Sequence, residues 1–101
     1  MTLNNLAILH SDTNEIAIAL SEFTGALQIY RELVIQNPAT FLPYVAHTLN
    51  NLANLHCNTI ETALAMSEYQ EALQIYQNFE KKSPAAFQPK VYLVLENIAD
   101  L

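Results

Sequence analysis

Three histidines, one cysteine and ten carboxylates are the residues of this chain that could bind a metal or move a proton. Their spacing argues against both. His47 and His56 lie nine residues apart on one helical segment, close to half a turn out of phase, so they face opposite sides and cannot share an ion. His10 and His56 hold the same place in two copies of a repeated sequence, each on an apolar stripe, and read as packing residues. Cys57 adjoins His56, but neighbours on a helix point about 100° apart, so no thiol and base pair forms. Glu15 and Glu61 read as helix caps, and Glu22 and Glu68 as a solvated helix face. A single glycine, Gly25, leaves no Gly-rich phosphate loop, and a single cysteine leaves no internal disulfide. No catalytic residue, cofactor or metal is expected.

The chain has more to offer in amides. Asparagines recur along the chain, Asn4, Asn50, Asn51 and Asn54 among them. Each asparagine offers two N–H donors and an acceptor, which suits an extended peptide bringing its own backbone groups. The same asparagines equally suit the solvation of an otherwise apolar helix, or bonds to neighbouring helices.

The elements that position these residues come in two copies. Residues 2–47 and 48–93 align with 24 identities in 46 positions, and a third copy starts at 94–101. A period in this range marks a solenoid, whose units bury their apolar faces against one another. Within each unit, Leu49, Leu52, Ala53 and His56 (and Leu3, Leu6, Ala7 and His10 before them) sit at helical spacing and define helix A. Ala65, Tyr69, Ala72, Tyr76 and Phe79 define helix B, as do Ala19, Phe23, Ala26, Tyr30 and Leu33. Asp12 with Glu15, and Asn58 with Glu61, fit the capping box of helix B. Pro38 and Pro84 should stop helix B at Asn37 and Ser83. Pro43 and Pro89 then fit the first turn of the next helix A, with Thr40 as its cap. The expected helices are 2–10, 13–36, 41–57, 59–82 and 87–100. Gly25, inside the first helix B, reads as a tolerated weak spot or as a close approach by a partner.

The segment from Ser67 to Pro84 resembles the second helix of a tetratricopeptide repeat, with Tyr69, Ala72, Tyr76, Phe79 and Pro84 at its signature places. Leu49, Leu52, Ala53 and His56 resemble the first helix. The resemblance covers nearly the whole chain and implies an all-α solenoid of αα-hairpins, a right-handed superhelix of about two and a half repeats in one domain. It also implies a non-catalytic scaffold that grips a peptide or helix in a groove lined by helix A, where Asn4, Ile8, His47, Asn50, Asn51 and Asn54 would stand and where Glu96 and Asp100 would make one end acidic, favouring a neutral or basic protein or peptide partner. Two departures stand out: the period is 46 rather than 34 residues, which implies longer helices, and Leu33 and Phe79 occupy places where the family has alanine. Some members clamp a carboxylate with basic residues of helix A; Asn4 and Asn50 stand at those places here, and no basic residue is expected on that face.

Composition narrows the partners. Charged residues make up 14% against a usual ~25%, and apolar residues 51%. A net charge of −6 cannot supply the phosphate-neutralising patch that nucleic acid demands, and it also disfavours an anionic membrane. No apolar run approaches the ~20 residues of a membrane span, and no signal peptide is evident, so a soluble cytoplasmic protein is expected. The last helix carries Phe87, Val91, Leu95 and Ile98 with no following helix B to cover them. Self-association through these residues, giving a homo-oligomer joined at open ends, is the alternative reading of function.

Overall fold

A computed structural model describes residues 16–58 and 61–101. Over those residues the chain forms four helices: α1 (Ile16–Gln36), α2 (Pro38–Asn58), α3 (Thr62–Glu80) and α4 (Pro84–Ala99). They match the last four of the five expected helices to within three residues at each end. The first expected helix, 2–10, lies outside the described residues, as does the Asp12 and Glu15 cap. At about 1.5 Å per residue the 21 residues of α1 extend roughly 31 Å.

The junction of α1 and α2 is a single residue. Asn37 closes α1 by donating its N–H to Leu33 O at 2.9 Å, and opens α2 by accepting the Phe41 N–H at 3.1 Å. Its Oδ1 accepts the Thr40 N–H at 3.3 Å. Asn37 is therefore the cap of α2, and Thr40 is the residue it caps. Pro38 and Pro84 begin their helices, whereas Pro43 and Pro89, expected in the first turn, fall inside. Their missing N–H groups release the carbonyls of Ala39 and Ala85, which lie where the chain is exposed and water can bond them.

The second expected capping box does not form. Glu61 is itself the N-cap of α3 and makes no side-chain cap bond, while Asn58 still belongs to α2. Glu61 turns back instead, bringing Oε2 to 3.7 Å from His56 Nε2.

Each helix packs on its neighbours in sequence. Ala19 and Phe23, early in α1, meet Leu52 and Leu55, late in α2, so these two helices run antiparallel. The larger core joins Ala46, Leu49 and Ala53 of α2 to Ala65, Tyr69, Ala72 and Tyr76 of α3, with Val91 and Val94 of α4 closing it. Alternation of small and aromatic residues along α3 lets its backbone approach α2 while the rings fill the flanks. Phe79 meets Phe87 edge-on, with ring centres 5.2 Å apart. Arg31 of α1 reaches across to α3 and donates to both Glu71 oxygens, at 2.9 and 3.1 Å.

Candidate functional site

α2 and α4 are successive helices of the A type, and the residues expected to line a groove can be followed along them. On α2, His47, Asn50, Asn51 and Asn54 recur at helical spacing along one face. Asn50 is only 5% exposed, and its Oδ1 accepts the side-chain amide of Asn97 from α4 at 3.0 Å. It is a seam between two helices and not a free amide. Asn51 Nδ2 lies 3.4 Å from His47 Nε2. Asn54 accepts the phenol proton of Tyr69, whose oxygen also lies 3.7 Å from Cys57 Sγ. Glu96 and Asp100 are exposed toward the end of α4. Asn4 and Ile8, assigned to the same groove, lie outside the described residues.

At the other end of this face is a cleft of about 230 Å³ lined by Pro43, Tyr44, His47, Tyr76 and Lys90. Lys90 Nζ sits 6.0 Å from the centre of the Tyr76 ring, within reach of a cation–π attraction. Burial, and then the Lys90 charge, holds His47 below its usual pKa, so the imidazole is neutral and able to accept at pH 7. Burial pushes the Tyr76 phenol up to about 12. No basic residue is expected beside His47 from the sequence, and Lys90 lines this cleft with it. Lys90 precedes Leu93 by three residues and Asn97 by seven, and that spacing places it on the same face.

His56 is on another side of α2. Its Nδ1 lies 2.6 Å from Glu68 Oε1, with both side chains 12% exposed. Glu68 is therefore not on a solvated face; burial raises its carboxyl pKa, with His56 pulling the other way. The pair locks α2 to α3 near their connection. Cys57 meets Tyr69. Among the described residues no group of three or more His, Cys, Asp or Glu side chains could hold a metal, and no helix is long and apolar enough to cross a membrane.

Of the residues assigned to self-association, Val91 is buried in the chain's own core, and Phe87 and Ile98 pack against that core. Leu95 is exposed, as are Tyr92 and Leu101. A wider depression of about 380 Å³ runs along α1 past Thr24, Leu27, Gln28, Arg31, Glu32 and Ile35. All of these described lining residues come from one helix, so among them no second element converges on it.

No curated protein and no solved structure matches the chain. A family profile described as Tetratricopeptide repeat matches twice, over residues 1–34 and 45–78. Such repeats generally act as non-catalytic scaffolds for contacts between proteins. With two matches that together span about two thirds of its length, this chain belongs to the tetratricopeptide repeat family.

Proposed function

We propose that the chain is an interaction scaffold that takes an extended segment of another protein along the face shared by α2 and α4. The observation that carries this reading is the charge order of that face. Lys90 and neutral His47 share the cleft at one end, and Glu96 and Asp100 stand exposed at the other. Ten residues of helix separate Lys90 from Asp100, roughly 15 Å, which an extended segment covers in about five residues. The partner then carries an acidic side chain or a terminal carboxylate beside Lys90 and a basic side chain beside Glu96 and Asp100. This narrows the expectation of a neutral or basic partner to one with both charges in a fixed order.

The Asn50 and Asn97 bond forms the floor, and Asn51 and His47 provide polar contacts above it. The same proposal takes residues 1–101 as one domain, with repeats at 2–47 and 48–93 and the start of a third at 94–101, stacked as a right-handed superhelix. In that arrangement α2 and α4 are successive turns of the inner wall and α1 and α3 form the back.

Selection from a displayed peptide library tests the reading. Enriched peptides should carry an acidic group about five residues from a Lys or Arg, and Lys90→Glu should weaken them by about tenfold. Asn50 and Asn54 are poor choices for such a test, because both amides already serve contacts between helices. Enriched peptides without that charge order, bound equally by Lys90→Glu, would remove the basis of the proposal.

A further inference from the structure

The cleft of His47 and Lys90 holds two nitrogen groups of different character. Lys90 is a fixed cation near neutral pH, whereas an imidazole such as His47 can be neutral or charged there. Both line the same space of about 230 Å³, with Pro43, Tyr44 and Tyr76. The groups that face His47 are thus Tyr44 and Asn51 from its own helix, Tyr76 from α3 and Lys90 from α4. Among these described residues there is no carboxylate, and the Tyr76 phenol, pushed up to about 12, stays neutral. The charge that His47 meets is that of Lys90.

In the free chain this arrangement keeps the proton off. His47 is half-buried beside a like charge, and its Nε2 lies 3.4 Å from the Asn51 amide nitrogen, where a neutral ring can accept. A carboxylate in the cleft reverses the balance. It offsets the repulsion from Lys90 and supplies the partner that a half-buried imidazolium needs. Asn51 can follow, because half a turn of its amide presents the oxygen to the new N–H.

We infer that this cleft takes up a proton together with its acidic ligand: His47 becomes an imidazolium when a carboxylate seats beside it and Lys90, so the partner is held more tightly in mildly acid solution. The inference rests on the docking face proposed above and makes that face responsive to pH. An Asp or Glu side chain and a C-terminus of the partner share the chemistry required. A group that binds protons more readily in the complex than in the free chain draws one in on binding, and affinity then rises as the pH falls. Carboxylates titrate near pH ~4, so the ligand keeps its charge down to pH ~5.5.

The test uses a histidine-free acidic peptide enriched from the displayed library, titrated calorimetrically into the full chain between pH ~5.5 and ~7.5. Affinity should be about five- to tenfold higher at the lower pH, the change that follows from about one pKa unit. Near pH ~6.3, heats in two buffers of different ionisation enthalpy should show uptake of roughly half a proton. His47→Gln should remove both effects, and His10 and His56 remain in that variant as internal controls. Circular dichroism and melting curves show whether His47→Gln keeps the fold. Independently of that variant, the His47 ring signals of the natural chain should titrate at higher pH with the peptide than without it. Amidating the side-chain carboxylate and the C-terminus of the peptide in turn identifies the seated group, whose loss abolishes the uptake.

If no enriched peptide carries an acidic group, or none binds at either pH, the docking face and the inference both fall. Saturable binding with affinity and heats unchanged by pH overturns the inference alone, as does proton uptake that is equal in a folded His47→Gln. A His47 ring that titrates identically with and without peptide does the same, and so does uptake that survives the loss of every peptide carboxylate.

Discussion

Asn97 on α4 donates its side-chain amide to Asn50 on α2 at 3.0 Å, across 47 positions of sequence. Because Asn50 is buried, its partner cannot be replaced freely by water. Asn97→Ala leaves a buried acceptor unpaired and should destabilise the fold by about 1–2 kcal/mol. In a double-mutant cycle with Asn50→Ala, the second substitution should add little to the first. Denaturant unfolding of the four proteins checks both statements; strict additivity would mean that the bond does not tie the two helices.

Gly25 lies in the middle of α1, and among the described residues nothing stands within 4 Å of the Cβ that an alanine would add there. Gly25→Ala should therefore stabilise the chain by about 0.5–1 kcal/mol, through helix propensity and a less flexible unfolded state. For a domain of this size that corresponds to a rise in Tm of a few degrees, on the order of 4–8 °C per kcal/mol. A fall in Tm would show that the glycine serves a close approach after all.

Burial and Lys90 lower the pKa of His47, so its share of stability is present above the ordinary histidine value and is lost as the pH falls through the lowered one. Stability should drop on acidification below pH ~6.5, and less steeply in His47→Gln. Lys90→Met should also lessen the drop, because it removes the second cause of the shift. Glu68 works in the opposite direction. Burial raises its pKa, so its contribution is lost as the pH rises through that raised value. Comparing His47→Gln with the natural chain isolates the histidine, with urea midpoints between pH 4 and 8 as the readout.

Two buried tyrosines set the alkaline limit. Burial pushes Tyr76 up to about 12; burial, and then the Cys57 contact, raises Tyr69 as well. An unfolded tyrosine ionises near pH ~10, so stability is fully present below that value and is lost as the pH rises toward the folded values. The loss approaches about 1.4 kcal/mol per pH unit for each tyrosine. Tyr69→Phe should make the alkaline decline shallower while costing about 1 kcal/mol at neutral pH, because its bond to Asn54 is lost. Thermal melts from pH 8 to 11 would reveal the change in slope.

The helices and much of the core were legible in the sequence because periodicity is a property of one chain segment. Ala65, Tyr69, Ala72 and Tyr76 announce a buried stripe without knowledge of what covers it. Helix starts were less legible, since Pro38 and Pro43 both satisfy the chemistry of a first turn. Asn37, immediately before Pro38, was the cap signal that decides between them. Pairings between helices were the least legible. Glu68 with His56, Asn97 with Asn50, and Lys90 with the His47 cleft depend on how adjacent helices are rotated, which no single helix encodes. Repeat comparison also hid Lys90, because its counterpart one period earlier is Tyr44.

The most direct test of the docking face is amide NMR of the isotopically labelled chain, titrated with a peptide enriched from the displayed library. Side-chain amide signals of Asn51 and Asn97, with backbone signals around His47, Lys90 and Glu96, should shift together and saturate at one affinity. Lys90→Glu should abolish those shifts at the same peptide concentration. Shifts confined to Thr24 through Ile35 on α1, with the α2 and α4 signals unmoved, would contradict the account and place recognition on α1 instead.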